Sequence, residues 1–152
     1  TAAILACLPD VDYCGYDISP AYIEKARNRF GGRGRFVAAL LTEHSLDCER
    51  PFDLVLAIGL LHHLDDDEAR QLLRLCRAAI AHHGRLITLD PCFDRAQSPV
   101  ARWIISRDRG QNVRDAEGYR ELATGLFAMT TVHLRSDLLR IPYTHAILEC
   151  IA

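Results

Sequence analysis

The chain has little lysine and no two cysteines at C-x-x-C spacing, and each absence excludes a class of function. Lys25 is the only lysine among 18 basic residues, and the formal net charge is −2. This balance does not suit a surface that binds nucleic acid, so we expect no nucleic-acid partner. None of the six cysteines forms a C-x-x-C pair, which excludes the common zinc and redox motifs. We therefore expect no metal site, and buried free thiols in a reducing compartment.

Long apolar runs are missing as well. No run reaches the ~18 residues that a membrane span needs, and the first residues lack the basic segment of a secretory signal. We therefore expect a cytoplasmic protein without a membrane span. Apolar residues make up 49% and charged residues 25% of the 152 positions, which is typical of a single globular domain. That domain is expected to cover residues 1–152.

Strand and helix signals alternate along the chain as far as Leu89. Helices are predicted where apolar residues recur at helical spacing, and strands where short apolar runs stand between turn residues. The predicted strands are 12–17, 35–41, 52–61 and 85–89, and the predicted helices between them are 19–30 and 65–84. This order predicts an α/β fold, a doubly wound, mostly parallel sheet with helices on both faces. Strand 52–61 is almost entirely apolar, which predicts burial on both faces.

Several helix starts are marked by capping residues. Ser and Asp are favoured N-caps, Pro suits the first helical position, and Asp followed three residues later by Glu has capping-box spacing. The predicted caps are Ser19, Asp65, Ser98 and Asp115. Gly84 is expected to end the helix that Asp65 begins. His82 and His83 would then lie at its C-terminus, where the helix dipole favours them.

The last third of the chain is less regular. An arginine-rich loop, 106–114, follows a short apolar helix. The stretches 129–134 and 144–151 are predicted strands with no helix signal between them. Two such strands predict an antiparallel pair at one edge of the sheet.

Three segments resemble the class I S-adenosylmethionine-dependent methyltransferases of the small-molecule type. They are YCGYDISPAYIEKAR, FDLVLAIGLLHHLDDDEARQLL and GRLITLDPCF, which are similar to the second, fourth and fifth strands of that family with their flanking segments. The two late strands are similar to the family's sixth and seventh. The resemblance implies a first strand and a glycine-rich loop upstream of Thr1. We therefore expect the domain to be truncated at its N-terminus.

The resemblance also implies a cofactor site for S-adenosylmethionine. Asp17 ends a predicted strand at a switch point of the sheet, where a carboxylate can accept hydrogen bonds from ribose hydroxyls. The alternative is an Asp that only precedes the Ser19 cap. The resemblance further implies contacts from Ile18, directly after Asp17, and from Ile58 and Gly59 at the end of the strand 52–61. Where the family often carries an acid for the adenine amine, this chain has Ala39 and Leu40, so that contact is made by backbone or is absent. For Ile58, a role in the core is the alternative.

His62 and His63 are the candidates for acid–base catalysis. Imidazole changes protonation state near neutral pH, so a histidine at the exit of a strand can take a proton from an acceptor. Neighbouring residues on an extended segment point to opposite sides, and we favour His62. A passive role as a wall of the site is the alternative.

Arg107, Arg109 and Tyr143 are the expected contacts to the acceptor. An arginine can hold a carboxylate or phosphate through two hydrogen bonds. Exposure to solvent is the alternative for the arginines, and packing is the alternative for Tyr143. The sequence therefore predicts methyl transfer from S-adenosylmethionine to a small-molecule acceptor.

Two other functions stay open. One is an NAD-binding domain, which Asp17 would also suit, although the LHHL segment and the closing strand pair are unlike that class. The other is a non-catalytic interaction module that keeps the fold without the cofactor.

Overall fold

The computed structural model describes residues 2–46 and 51–152. The chain forms two compact units, one running to Ser45 and the other starting at Leu46. Cys48, one of the cysteines expected to be buried, lies outside the described residues. Among the helices of the described ranges, none is long and apolar enough to cross a membrane.

The first unit is a two-stranded parallel sheet with helices. Its elements are α1 (Ala2–Cys7), β1 (Cys14–Asp17), α2 (Pro20–Phe30) and β2 (Arg35–Ala38). Helix α2 begins as predicted, because the Ser19 side chain accepts a hydrogen bond from the Tyr22 amide. The pairing of Asp17 with Ala38 brings the carboxyl ends of both strands to one edge.

The second unit is built on a mixed sheet, and a short helix, α3 (Glu43–Leu46), comes before its first strand. The elements of this unit are β3 (Phe52–Ile58), a 3₁₀ turn (Leu61–His63), α4 (Asp66–Ala79), β4 (Ile80–Phe93), α5 (Pro99–Ile105), β5 (Arg114–Asp115), α6 (Ala116–Ala123), β6 (Met129–Arg135) and β7 (His145–Ile151). The strand order in the sheet is β3-β4-β7-β6. Strands β3 and β4 are parallel, while β7 is antiparallel to β4 and β6. The α/β fold and the antiparallel C-terminal pair are thus confirmed.

One face of this sheet carries the core. Leu86 and Leu148 on the strands pack with Leu73 of α4 and Tyr119 of α6, and all four are at most 1% exposed. The other face of β3 differs, because alternate side chains point there. Leu54, Leu56 and Ile58 are 42%, 36% and 55% exposed. The expectation of burial on both faces is therefore wrong for these three residues.

The junction of α4 and β4 also differs from expectation. The capping box of Asp65 and Glu68 is present, but the helix ends at Ala79, and Ile80 already belongs to β4. His82 and His83 therefore lie in the strand, where His83 has φ 68°, and not at a helix end. Gly84 does not end a helix; a Cβ there would lie 2.9 Å from the Phe52 carbonyl oxygen, so close strand packing requires the glycine.

Candidate functional site

A buried pair of His62 and Asp90 lies at the carboxyl end of β3. The parallel register places Ile58, the last residue of β3, beside Leu89, while β4 continues in the sheet beside β7. His62 follows in the 3₁₀ turn and Asp90 comes next on β4. They are 6% and 1% exposed.

The contact between the two orients the imidazole. Asp90 Oδ1 lies 2.8 Å from Nδ1 of His62 and accepts the His62 backbone amide at 3.2 Å. A carboxylate accepts hydrogen bonds, so we assign the donor of this bond to Nδ1 of His62. Nε2 is then the ring nitrogen left for proton transfer.

Asp108 stands at that second nitrogen. Its Oδ1 lies 3.5 Å from Nε2 of His62 and accepts the Gly110 amide at 3.1 Å, while Oδ2 accepts the Tyr143 hydroxyl at 2.7 Å. Burial acts to raise the pKa of Asp108, but the hydrogen bonds from Tyr143 and Gly110, with His62 nearby, outweigh it and hold the pKa below its usual value. The carboxylate is therefore charged at neutral pH.

The loop that carries Asp108 is tied closely to His62. The Asn112 amide donates to the His62 carbonyl at 3.0 Å, and Gly110 packs against the imidazole without room for a side chain. Arg114 donates to the Leu61 carbonyl at 3.0 Å, and to Asp66. Arg114 thus anchors the 3₁₀ turn.

His63 has different surroundings from His62. Its ring centroid lies 4.0 Å from that of His62, yet its side chain is exposed. The structure therefore gives His62 a hydrogen-bonded, buried position and leaves His63 at the surface of the turn.

In the first unit, the predicted cofactor contacts meet at the carboxyl edge of β1 and β2. Asp17 is half-buried, and its Oδ1 accepts the Ser19 amide at 2.8 Å. Ile18 and Leu40 are 73% and 69% exposed, and the Ala39 amide donates to the Asp17 carbonyl. A carboxylate has about four acceptor positions, so Asp17 can still bind hydroxyls. This edge of the first unit thus presents a hydrogen-bond acceptor next to two exposed apolar side chains.

Ile58 and Gly59 end β3 in the second unit. The Ile58 side chain is 55% exposed, and Gly59 has φ 65° while its amide donates to the Leu89 carbonyl at 2.7 Å. A positive φ favours glycine, which also allows a ligand to approach the backbone closely.

The three predicted acceptor contacts lie in different settings. The Arg107 guanidinium lies 5.2 Å from the centroid of the Trp103 ring, and Arg109 is exposed. Tyr143 is buried and bonded to Asp108. A shallow cleft of about 450 Å³ borders this region and is lined by Phe93, Pro99, Arg102, Trp103 and Ser106.

Sequence reasoning missed Asp90 and Asp108. Asp90 could have been found, because it ends a predicted strand and a carboxylate there can pair with the candidate base His62. No comparable sequence feature marks Asp108, which lies within the arginine-rich loop. In the part of the chain that the structure describes, no three His, Cys, Asp or Glu side chains converge to hold a metal.

Comparison with known sequences gives a family match over more than half of the chain. Residues 1–86 match the family described as methyltransferase domain. The chain is also similar to the polyketide synthase ThaQ of Burkholderia thailandensis, with 34% identity over 85 residues, covering 49% of the chain and 4% of ThaQ.

Solved structures share the fold. The mitomycin 7-O-methyltransferase MmcR has a TM-score of 0.74 at 19% identity, covering 99% of this chain and 45% of MmcR. An O-methyltransferase family 2 protein from Planctomyces limnophilus, in complex with apigenin, has a TM-score of 0.70 at 19% identity, covering 99% of this chain and 45% of that protein. The chain thus spans about half the length of these structural relatives, and a much smaller part of ThaQ.

Proposed function

This chain belongs to the methyltransferase domain family, and on that basis we propose that the protein transfers a methyl group from S-adenosylmethionine to a small-molecule acceptor. The observation that carries this proposal is the buried pair of His62 and Asp90, with Nδ1 and Oδ1 2.8 Å apart. A histidine oriented by a carboxylate is the usual arrangement of a general base.

The bound cofactor supplies a methyl group on a positively charged sulfur, which is already activated for transfer. The protein's part is then to align the acceptor, exclude water and take up the acceptor's proton. Nε2 of His62 takes this proton, while Asp90 keeps the ring in orientation through Nδ1. The exposed ring of His63 forms a wall beside it.

In the first unit, four residues are proposed to contact the cofactor. Asp17 accepts hydrogen bonds from the ribose hydroxyls, and the exposed side chains of Ile18 and Leu40 pack on the adenine. Ala39 contributes its backbone beside them. Ile58 and Gly59, in the second unit, are proposed by themselves as cofactor contacts at the end of β3. The half-burial of Asp17, the exposure of both apolar side chains and the φ of Gly59 support these roles.

The acceptor is proposed to be a small molecule that contacts Arg107 and Arg109. Trp103 and the neighbouring cleft supply an apolar surface with guanidinium groups close by. Arginine at such a surface favours an acceptor with an aromatic ring or an anionic group. Tyr143 is expected to be less available, because its hydroxyl is bonded to Asp108.

The test uses the full-length protein, S-adenosylmethionine with a deuterated methyl group, and a small-molecule extract of the source cells. We expect mass spectrometry to reveal a labelled product. His62→Gln should lower the labelling rate by ~10²–10⁴-fold, and Asp90→Asn should also lower this rate. His133→Gln, at an exposed position on β6, is the matched control. An unchanged rate in His62→Gln would remove His62 as the base, and no labelled product with any extract would contradict methyl transfer.

A further inference from the structure

Nε2 of His62 faces a second carboxylate that the proposed reaction does not yet use. Asp108 Oδ1 lies 3.5 Å from this nitrogen, which is too long for a strong hydrogen bond but close for a charge. The His62 ring is almost fully buried, so water screens this contact less than it would at the surface. A charge on Asp108 therefore acts directly on the protonation state of Nε2.

The Asp108 carboxylate is held in place from both oxygens. Tyr143 donates to Oδ2 at 2.7 Å and the Gly110 amide donates to Oδ1 at 3.1 Å. The Asp108 side chain is 27% exposed, so without these donors it could turn toward water. Tyr143 is itself buried, and its ring lies 4.8 Å from the His145 ring. Its hydroxyl therefore presents a fixed donor to Asp108.

The loop approaches His62 closely enough for this contact only because residue 110 is glycine. A Cβ at Gly110 would collide with the imidazole and lie 2.6 Å from the His62 carbonyl oxygen. The Asn112 amide fixes the same stretch to that carbonyl. The position of Asp108 is thus set by the hydrogen bonds from Tyr143 and Gly110 and by two contacts between the loop and His62.

We propose that Tyr143 and Asp108 are a positioning pair for His62. Tyr143 fixes the carboxylate of Asp108, and this carboxylate stabilises the imidazolium that forms when Nε2 takes the acceptor's proton. The proton leaves the acceptor and stays on Nε2, and Asp90 keeps its bond to Nδ1. The proposal rests on the proposed function, because it assumes that His62 is the base. It gives Tyr143 a different role from the acceptor contact expected from sequence.

The titratable groups around the ring allow a clear test. Asp90 faces it from β4, Asp108 faces it from the loop after α5, and His63 lies beside it on the same turn. Of these, Asp108 can be changed without disturbing the bond between His62 and Asp90. The variants are Asp108→Asn, which keeps the shape, and Tyr143→Phe, which removes only the hydroxyl. Asp137→Asn is the matched control, because Asp137 is exposed and bonded to Arg135.

The measurement is a pH titration of the histidine ring signals by NMR in the full-length protein without added ligand. The His62 signals are assigned by their loss in His62→Gln. In Asp108→Asn, the midpoint of the His62 signals should move to lower pH, because a negative charge beside Nε2 is lost. Tyr143→Phe should move it in the same direction by less, and Asp137→Asn should leave it in place. A merely structural role would lower the melting temperature without moving this midpoint.

The outcomes separate the proposal from the proposed function. An unmoved midpoint in a folded Asp108→Asn variant overturns the proposal, even when S-adenosylhomocysteine binds normally. If Asp108→Asn does not fold, Tyr143→Phe decides, and an unmoved midpoint there overturns the proposal as well. A moved midpoint together with a reduced rate of methyl transfer supports it. A moved midpoint in a protein that binds no S-adenosylhomocysteine contradicts the proposed function, and with it the catalytic meaning of the pair.

Discussion

Gly110 packs against the imidazole of His62 so closely that a single added methyl group has no room. The added Cβ would also lie 2.6 Å from the His62 carbonyl oxygen, a backbone atom that cannot move aside cheaply. Gly110→Ala should therefore destabilise the protein by about 1–3 kcal/mol. Urea unfolding measures the change. Gly32→Ala is the control, because a Cβ there meets no atom within 4 Å, and equal stability of the two variants would contradict the close packing.

Asp17 is expected to dominate the affinity for the cofactor's ribose. Asp17→Ala in the full-length protein should weaken binding of S-adenosylhomocysteine by about 2–3 kcal/mol, because hydrogen bonds to a charged group are lost. Isothermal titration calorimetry measures this difference.

Asp17→Asn separates binding from local structure. Its amide oxygen can still accept the Ser19 amide, as Oδ1 does in the native protein, while the charge is lost. Asp12→Asn, at an exposed position before β1, is the control. Native affinity in both Asp17 variants would remove this residue from the site.

His145 should make stability depend on pH in the weakly acidic range. Burial lowers the pKa of His145, although Asp90 nearby acts in the opposite direction. An unfolded histidine takes up a proton near pH 6.5, while the folded one resists it. The unfolded state then binds more protons, so the free energy of unfolding falls as the pH drops below about 6.5.

This prediction is tested by measuring the free energy of unfolding in urea at pH 7.5 and at pH 5.5. Between these two values, His145→Gln should lose less of its unfolding free energy than the native protein loses. His133→Gln, on the exposed part of β6, should lose as much as the native protein. A native-like loss in His145→Gln would show that another group causes the dependence.

The buried cysteines should resist alkylation in the native protein. Burial raises the pKa of Cys76 to about 12, and burial with nearby Asp115 and Asp94 raises that of Cys92 to about 12. Thiolate is the reactive form, so iodoacetamide at pH 8 should modify the exposed Cys7 and spare these two. Peptide mass spectrometry locates the label, and urea should expose both. Rapid labelling of Cys76 without urea would contradict its burial.

Local features of the fold could be predicted from the sequence because the forces involved act over a few residues. The caps at Ser19, Asp65, Ser98 and Asp115 each bond an amide three residues ahead, and a reader of the sequence sees both partners together. The antiparallel pairing of β6 and β7 followed from two strands without a crossover helix.

Features that depend on neighbours distant in sequence were not predictable. The apolar run of β3 did not reveal that Leu54, Leu56 and Ile58 face an exposed side. The helix that Gly84 was expected to end stops at Ala79, because strand pairing with β3 begins at Ile80. Tertiary pairing here overrides the local signal of a glycine.

The sequence by itself determined the alternation of strands and helices, the caps and the candidate residues Asp17 and His62. Only the tertiary structure decided which groups surround His62. Asp90 lies 28 positions along the chain from it, and Asp108 is held by Tyr143 from 35 positions away. Such contacts are set when parallel strands end at one edge and a loop folds back over them. Their energy comes from burial and fixed geometry, which no local pattern of residues encodes.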